Sequence, residues 1–124
     1  MKILVVAPYE HPKRVEIPHT LEALQKVVGG NIEAVYPWRD DKVALVCDEE
    51  GFINEKPLNR LIMPGMLIAG TFFICGLGEE DFTDLSDDLA EKYEQLFYHP
   101  QAFVRVNGDI IAIGADGSLT RVVM

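Results

Sequence analysis

The fold is decided by residues 43–76, which read VALVCDEEGFINEKPLNRLIMPGMLIAGTFFICG. The run Val43–Cys47 is apolar and stops at three carboxylates and a glycine, which predicts a buried strand that ends in a surface loop. A second apolar run, Met66–Cys75, predicts another strand, in which Gly70 marks a bulge or a close approach of backbone. Between them lies a polar connection, Asp48–Arg60. Its end overlaps Asn59–Met63, where we predict a single helical turn.

Two hairpins are predicted upstream of the second apolar run. Lys2–Ala7 is apolar and predicts a central first strand, and the alternation at 15–17 predicts a short, half-exposed second strand paired with it. Ile32–Tyr36 and Val43–Cys47 flank a turn at 38–41. We therefore expect these two segments to pair as an antiparallel hairpin.

Two helices have recognisable ends. Thr20 is a suitable N-cap for the first helix, and Gly29 fits the left-handed position that follows a last turn. Ser86 is a suitable N-cap for the second helix, which lies within 81–97 and which Pro100 cannot continue. The predicted buried stripes are Leu21, Leu24, Val27 and Val28 in the first helix, and Leu85, Leu89, Tyr93, Leu96 and Phe97 in the second.

The remaining residues, 101–124, predict a β-meander. Asn107-Gly108 between apolar runs is a strong hairpin signal, and a second turn is predicted at Asp116-Gly117. Together with the preceding elements, this predicts one α+β domain over residues 1–124: a mostly antiparallel or mixed sheet with two helices packed on it. The C-terminal meander is expected either to extend that sheet or to pair with another copy.

Composition limits the class of protein. A chain of 124 residues that is 48% hydrophobic can bury one real core. No apolar stretch approaches the roughly 20 residues that cross a bilayer, and the apolar run before Pro8 is shorter than a signal-peptide core. We therefore expect a cytoplasmic protein with no membrane partner. Cys47 and Cys75 lie in apolar runs and are expected to be buried, free thiols.

The negative charge is concentrated in one stretch. Residues 79–94 hold eight Asp/Glu and one lysine, which accounts for −7 of the net charge of −9. This charge argues against direct binding to nucleic acid or anionic membranes. The stretch lacks calcium-loop spacing, so no metal is predicted. It is either an ordinary solvated helix face or an acidic interaction face that imitates duplex phosphates, formed by Asp84, Asp87, Asp88, Glu91 and Glu94.

The connection at 48–60 is the best candidate for a small-ligand site. Asp48, Glu49, Asn59 and Arg60 could bind a cation or a polar ligand, because loops at strand ends often carry function. The alternative is a solvated loop whose arginine pairs with a nearby carboxylate. No nucleophile–base pair and no cofactor motif is visible, and acidic neighbours raise the pKa expected for Cys47. We therefore predict no cofactor and no enzyme activity.

Several ordered motifs resemble one family. They are Lys2-Ile3-Leu4-Val5-Val6-x-Pro8, Leu21-Glu22-Ala23-Leu24-Gln25-x-x-Val28-Gly29-Gly30-x-Ile32-Glu33, Val43-Ala44-Leu45-Val46-Cys47-Asp48-Glu49-Glu50-Gly51, Leu58-Asn59-Arg60, Ile68-Ala69-Gly70-Thr71-Phe72-Phe73-Ile74 and Asp81-Phe82-Thr83-x-Leu85. Over roughly residues 2–97 the chain resembles a family of short phage- and plasmid-borne proteins of Gram-positive bacteria, a domain of unknown function. The resemblance implies a family-like core over 1–100 and cytoplasmic expression from a mobile element. It brings no catalytic residue, cofactor or ligand.

Two functional hypotheses follow. The first is a non-catalytic accessory protein of a mobile element, which binds a host protein through the acidic face, in counter-defence or by imitating DNA. The alternative is a small-molecule or nucleotide-binding module that uses the 48–60 loop. A homodimer is compatible with either hypothesis.

Overall fold

The computed structural model describes residues 1–123 and contains eleven strands and two helices. The strands are β1 (Lys2–Val6), β2 (Lys13–Glu16), β3 (Ile32–Val35), β4 (Val43–Asp48), β5 (Leu58–Met63), β6 (Met66–Ala69), β7 (Phe72–Leu77), β8 (Phe82–Thr83), β9 (Ala102–Val106), β10 (Asp109–Ile113) and β11 (Leu119–Val122). The helices are α1 (Leu21–Val28) and α2 (Asp87–Leu96). This architecture confirms the predicted α+β class.

The centre of the fold is an antiparallel sheet with the order β2-β1-β7-β4-β3, and β8 pairs with β7. Strands β4 and β7 are buried along nearly their whole length, because both faces of the sheet are covered. Alternate residues of β4 belong to two separate cores, with Leu45 on the α2 side and Val46 on the α1 side. The sheet therefore lies between the two helices.

Helix α1 begins and ends where the sequence predicts. The Thr20 hydroxyl accepts a hydrogen bond from the Ala23 N–H, and Gly29 has a φ of 75° after the last turn. Leu24 and Val28 are buried against the sheet. Leu21 was wrongly assigned to the buried stripe: it is the first residue of the helix and is 59% exposed, and burial of this helix face begins one turn later, at Leu24.

Helix α2 is also confirmed, with Ser86 accepting from the Leu89 N–H. Tyr93 and Phe97 are buried, but Leu96 is 57% exposed and its inclusion in the stripe was wrong. The small side chain of Ala90 is buried instead, since it faces the sheet one turn before Tyr93. The Tyr93 hydroxyl donates to Asp41 at 2.5 Å, which joins the helix to the β3–β4 connection.

Two predictions within residues 58–77 were wrong. The predicted helical turn at 59–63 is strand β5, which forms a hairpin with β6 around Pro64-Gly65. The predicted single strand Met66–Cys75 is two strands, β6 and β7, which belong to different sheets. The chain changes sheet at Gly70, whose φ of 87° is a left-handed conformation that a strand interior does not contain.

The meander predicted after residue 100 is confirmed as β9–β11, a separate three-stranded antiparallel sheet. The expectation that it extends the central sheet was wrong. It packs on the β5–β6 hairpin instead, through a small core formed by Leu67, Ala112 and Val122. Across residues 1–123, both helices lack the length and apolarity required to cross a bilayer.

The change of sheet at Gly70 can be tested by comparing Gly70 with Gly108. Both have a φ near 85°, but a Cβ on Gly70 would lie 2.8 Å from the Lys56 side chain, whereas nothing lies within 4 Å of one on Gly108. We expect G108A to lower the free energy of unfolding by about 1 kcal/mol, the cost of the left-handed backbone, and G70A to lower it by about 2–3 kcal/mol. Urea unfolding followed by circular dichroism measures both, and equal losses would contradict the steric argument.

Candidate functional site

The segment from Asp48 to Arg60 contains the residues predicted to bind a ligand. In the structure, side chains of this segment bond the C-terminal ends of both helices. Lys56 donates from Nζ to the carbonyl oxygens of Val28 and Gly29, at 2.9 and 3.0 Å. These carbonyls end helix α1, where the helix dipole favours a cation. The same ammonium group lies 2.6 Å from the carboxylate of Asp48. Lys56 therefore ties the end of α1 to the end of β4.

Asp48 is buried, with 6% of its surface exposed. Burial alone would raise the pKa of this carboxyl, but the ion pair with Lys56 and a hydrogen bond from the Glu50 N–H outweigh it, so the pKa is lowered. The carboxylate also packs against Gly30, where a Cβ would lie 2.7 Å from it. The carboxylate of Asp48 is therefore engaged by Lys56, Glu50 and Gly30 of the protein itself.

Asn59 is completely buried and fills the space between β1 and Gly70. Its side-chain amide donates to the carbonyl oxygens of Val6 and Gly70, both at 2.9 Å. Its Oδ1 accepts from Arg60 at 2.8 Å. The donors and the acceptor of this side chain are therefore all engaged by the protein itself.

Arg60 is 1% exposed and has no carboxylate partner among the described residues. Its Nη2 donates to the carbonyl oxygens of Glu10 and Phe97, at 2.8 and 2.9 Å, and its Nη1 donates to Asn59. Burial lowers the pKa of the guanidinium to about 10. Phe97 is the C-cap of α2, so the positive charge lies at the negative end of that helix.

The structure therefore separates the four predicted ligand residues. Asp48 lies at the end of α1, Arg60 lies at the end of α2, and Asn59 is buried between β1 and Gly70. Of the four, Glu49 alone is exposed. Sequence reasoning missed Lys56, because the carbonyls that it bonds lie 28 and 27 residues earlier and no local pattern connects them.

Both cysteines are buried, free thiols. Burial, followed by the charges of Glu33 and Asp48, raises the pKa of Cys47 to about 11. Burial also raises the pKa of Cys75 to about 12. Since the thiolate is the reactive form, neither group is disposed to act as a nucleophile near neutral pH. Over residues 1–123, no cluster of His, Cys, Asp and Glu is arranged to hold a metal ion.

The acidic interaction face predicted on α2 lies at the surface. Asp84 accepts from the backbone N–H of Lys2 at 2.8 Å, and Glu94 accepts from Arg14 at 2.9 and 2.5 Å. Asp87 lies 3.7 Å from the same guanidinium. Asp88 and Glu91 are exposed and form no ion pair with the described residues.

Arg14 also lies on this face, which the sequence did not predict. It lies on β2 opposite Leu4, which directs its side chain toward the α2 side of the sheet. Next to it, His11 stacks on Tyr98 with ring centroids 4.3 Å apart. The face therefore combines a continuous acidic edge with one paired arginine and an exposed aromatic ring at its end.

Replacing Arg60 by lysine tests the capping of α2. A lysine keeps the charge but cannot reproduce the planar fork that bonds Glu10, Phe97 and Asn59 at once. We expect R60K to lower the free energy of unfolding by about 2–4 kcal/mol, because buried carbonyls lose their donors. The exposed Arg39 gives the control, since R39K should change stability by less than about 0.5 kcal/mol. Urea unfolding of both variants would show equal stability if Arg60 were not required.

Acid titration tests the Asp48–Lys56 pair. A carboxyl with a lowered pKa in the folded state stabilises the protein above its unfolded pKa of about 3.9, and this contribution is lost as pH falls through the folded value. We expect D48N to be less stable than the parent by a constant amount between about pH 5 and 7, and the gap to close below about pH 4. Urea midpoints measured across this range would contradict the assignment if the gap were independent of pH.

Comparison with known proteins places the chain in a family. The family model described as a domain of unknown function, DUF3846, matches residues 1–98. No curated protein and no solved structure matches the chain. The matched region includes the central sheet, both helices and the β5–β6 hairpin, and it stops before β9. Because the match spans most of the sequence, the chain belongs to the DUF3846 family of domains of unknown function.

Proposed function

We propose that this protein is a non-catalytic binding protein, whose acidic interaction face on α2 occupies a basic, DNA-binding groove of a host protein. The observation that carries the proposal is the exposure of Asp88 and Glu91 between two carboxylates already held by Arg14. Exposed charges on a rigid helix are available to a partner without rearrangement of the fold. Such charges mainly govern the rate and specificity of association.

The spacing of the carboxylates supports imitation of DNA. Four carboxylates lie between Asp87 and Glu94, and at about 1.5 Å per residue this span is about 10.5 Å long. The mean axial step between successive carboxylates is therefore about 3.5 Å, close to the roughly 3.4 Å per phosphate along one DNA strand. At about 100° per residue, all four fall within about one third of the helix circumference.

The nearby cations do not cancel this charge. Arg14 is bound to Glu94 and lies near Asp87, so it offsets one of four negative charges. Lys92 is on α2 itself, but its Nζ lies 2.6 Å from Asp41 on the β3–β4 connection. That carboxylate also accepts from Tyr93, and its pKa is lowered by the bonds from Lys92 and Tyr93. Lys92 is thereby turned toward a carboxylate outside the acidic face.

The non-catalytic part of the proposal is supported by the state of the reactive groups. The thiols are buried, and the raised pKa of each keeps it protonated near neutral pH. Asn59 and Arg60 bond backbone carbonyls, which is a structural use of polar side chains. For the same reason these contacts give no support to the alternative of a small-molecule or nucleotide pocket built from Asp48, Glu49, Asn59 and Arg60.

The proposed setting is the cytoplasm of a Gram-positive host, with the gene carried by a phage or plasmid. This setting is supported by the motif resemblance described above and by the chemistry of the acidic face. A mobile element gains from blocking a host enzyme that acts on its DNA, and an acidic helix is one means to block such an enzyme. The proposed role is therefore counter-defence.

Neutralising the acidic face tests the proposal. The variant D84N/D87N/D88N/E91Q/E94Q keeps side-chain size and the acceptor for the Lys2 N–H while it removes five negative charges. We expect the parent protein to capture a DNA-binding protein from host lysate, and this variant to lose it, because the complex depends on those charges. Quantitative mass spectrometry of the captured proteins measures the loss, and duplex DNA should compete with the parent for the same partner.

The matched control removes five exposed carboxylates elsewhere, in E22Q/E33Q/E49Q/E50Q/E55Q. It has the same net charge as the helix variant, so retention of the partner would assign binding to α2 and not to overall charge. Loss of the partner from the control but not from the helix variant would reject the proposal and place the site on the surface of these five glutamates. Retention by the helix variant, or failure of duplex DNA to compete, would reject the proposal.

A further inference from the structure

The outer surface of the C-terminal meander is a largely apolar sheet face that no other element within residues 1–123 covers. Because side chains alternate along a strand, Phe103, Ala112 and Val122 point toward the β5–β6 hairpin and their neighbours point outward. The outward residues form what we call the meander face. Six of them are large and apolar, namely Val104, Val106, Ile111, Ile113, Leu119 and Val123, and the others are Ala102, Asp109 and Arg121.

The exposure of the meander face is high for such residues. Val104 and Val106 on β9 are 43% and 50% exposed, and Leu119 and Val123 at the opposite edge are 69% and 66% exposed. Ile111 and Ile113 lie between them on β10, where they are half-buried. The face is therefore continuous across all three strands. These apolar side chains are contiguous and not scattered singly, which makes the face a candidate interaction surface.

Charge identifies which partner suits this face. Residues 101–124 hold Arg105 and Arg121 against Asp109 and Asp116, so this part of a chain with net charge −9 is neutral. On the meander face itself, Asp109 and Arg121 are 3.2 Å apart and both are substantially exposed. A patch with one charge of each sign is complementary to itself under a two-fold rotation.

We propose that two copies of this chain associate through their meander faces, across a two-fold axis, with Asp109 of each copy bonding Arg121 of the other. Two acidic proteins repel each other over most of their surfaces, and the meander is the neutral, apolar region where they can meet. This interface goes beyond the binding proposed for α2 and does not depend on it. It also lies outside residues 1–98, the part of the chain that the family model matches.

The size of the face sets the strength of the dimer. Three strands about 4.8 Å apart and five residues long present a flat area of about 14 by 17 Å. This is well below the roughly 800 Å² per partner of a standard stable interface. The dimer is therefore weak, and its dissociation constant lies in the micromolar range or above.

Sedimentation velocity of the full chain tests the dimer. From about 1 µM to about 1 mM, we expect the weight-average mass to rise from one chain toward two. V104K/L119K places two ammonium groups on the meander face and should stay monomeric throughout. L21K/I53K is the control: it replaces two exposed apolar residues elsewhere, at 59% and 77%, and should dimerise as the parent does.

A mixing experiment establishes that the ion pairs form between copies. D109R and R121D should each be monomeric, because each places like charges together at both ends of the interface. An equimolar mixture should form a heterodimer, because one variant then contributes only arginines and the other only aspartates at positions 109 and 121, so that both contacts between the copies join opposite charges. The mixture needs only that each variant fold, which circular dichroism verifies.

Three results would overturn the proposal. One is a parent chain that stays monomeric to about 1 mM, and another is a parent dimer that V104K/L119K leaves intact. The third is a mixture of D109R and R121D that contains only monomers while the parent dimerises. If V104K/L119K does not fold, the mixing experiment decides the matter alone.

Discussion

The fold depends on two cations that cap the two helices from one segment of chain. Lys56 bonds the last carbonyls of α1, and Arg60, four residues later, bonds the last carbonyl of α2. The helices lie on opposite faces of the sheet, and this segment reaches both at the ends of the central strands, where Lys56 pairs with Asp48 of β4 and Asn59 bonds Val6 of β1. Each cation satisfies carbonyl groups that a helix leaves without partners and lies where the helix dipole is negative. The segment therefore sets the positions of both helices at once.

Arg60 carries the larger electrostatic cost. A buried guanidinium without a carboxylate is costly unless its donors meet fixed acceptors, and here Glu10, Phe97 and Asn59 supply acceptors for both Nη groups, whereas the buried Nε has no partner among the described residues. Burial lowers its pKa only to about 10, so the group remains charged near neutral pH. The cost is compatible with a structural role, because the same fork joins the β1–β2 turn, the β5 strand and the end of α2. At the end of α1, the charge of Lys56 is instead balanced by the carboxylate of Asp48.

This use of polar residues moves the search for function to the surface. The groups that a sequence reader would assign to a ligand hold the core together, and the surface offers an acidic helix and an apolar meander face instead. These two surfaces differ in chemistry and in origin. The helix lies within residues 1–98, which the family model matches, whereas the meander lies beyond it. A binding function in α2 is therefore a property that the family could share, and association through the meander would belong to chains that have this extension.

Sequence alone determined most of the elements: the first and second hairpins, both helices with their caps, and the meander with its Asn107-Gly108 turn. These features are local, because hydrophobic period, capping residues and turn residues act within a few positions. Only the tertiary structure decided that the chain changes sheet at Gly70, that Leu21 and Leu96 are exposed, and that Asp48, Asn59 and Arg60 are buried. Each of these depends on atoms distant in sequence: Arg60 meets carbonyl groups 50 and 37 residues away. A polar residue in a loop reads the same in sequence whether its partner is water, a ligand or a distant helix end, and only packing distinguishes the three.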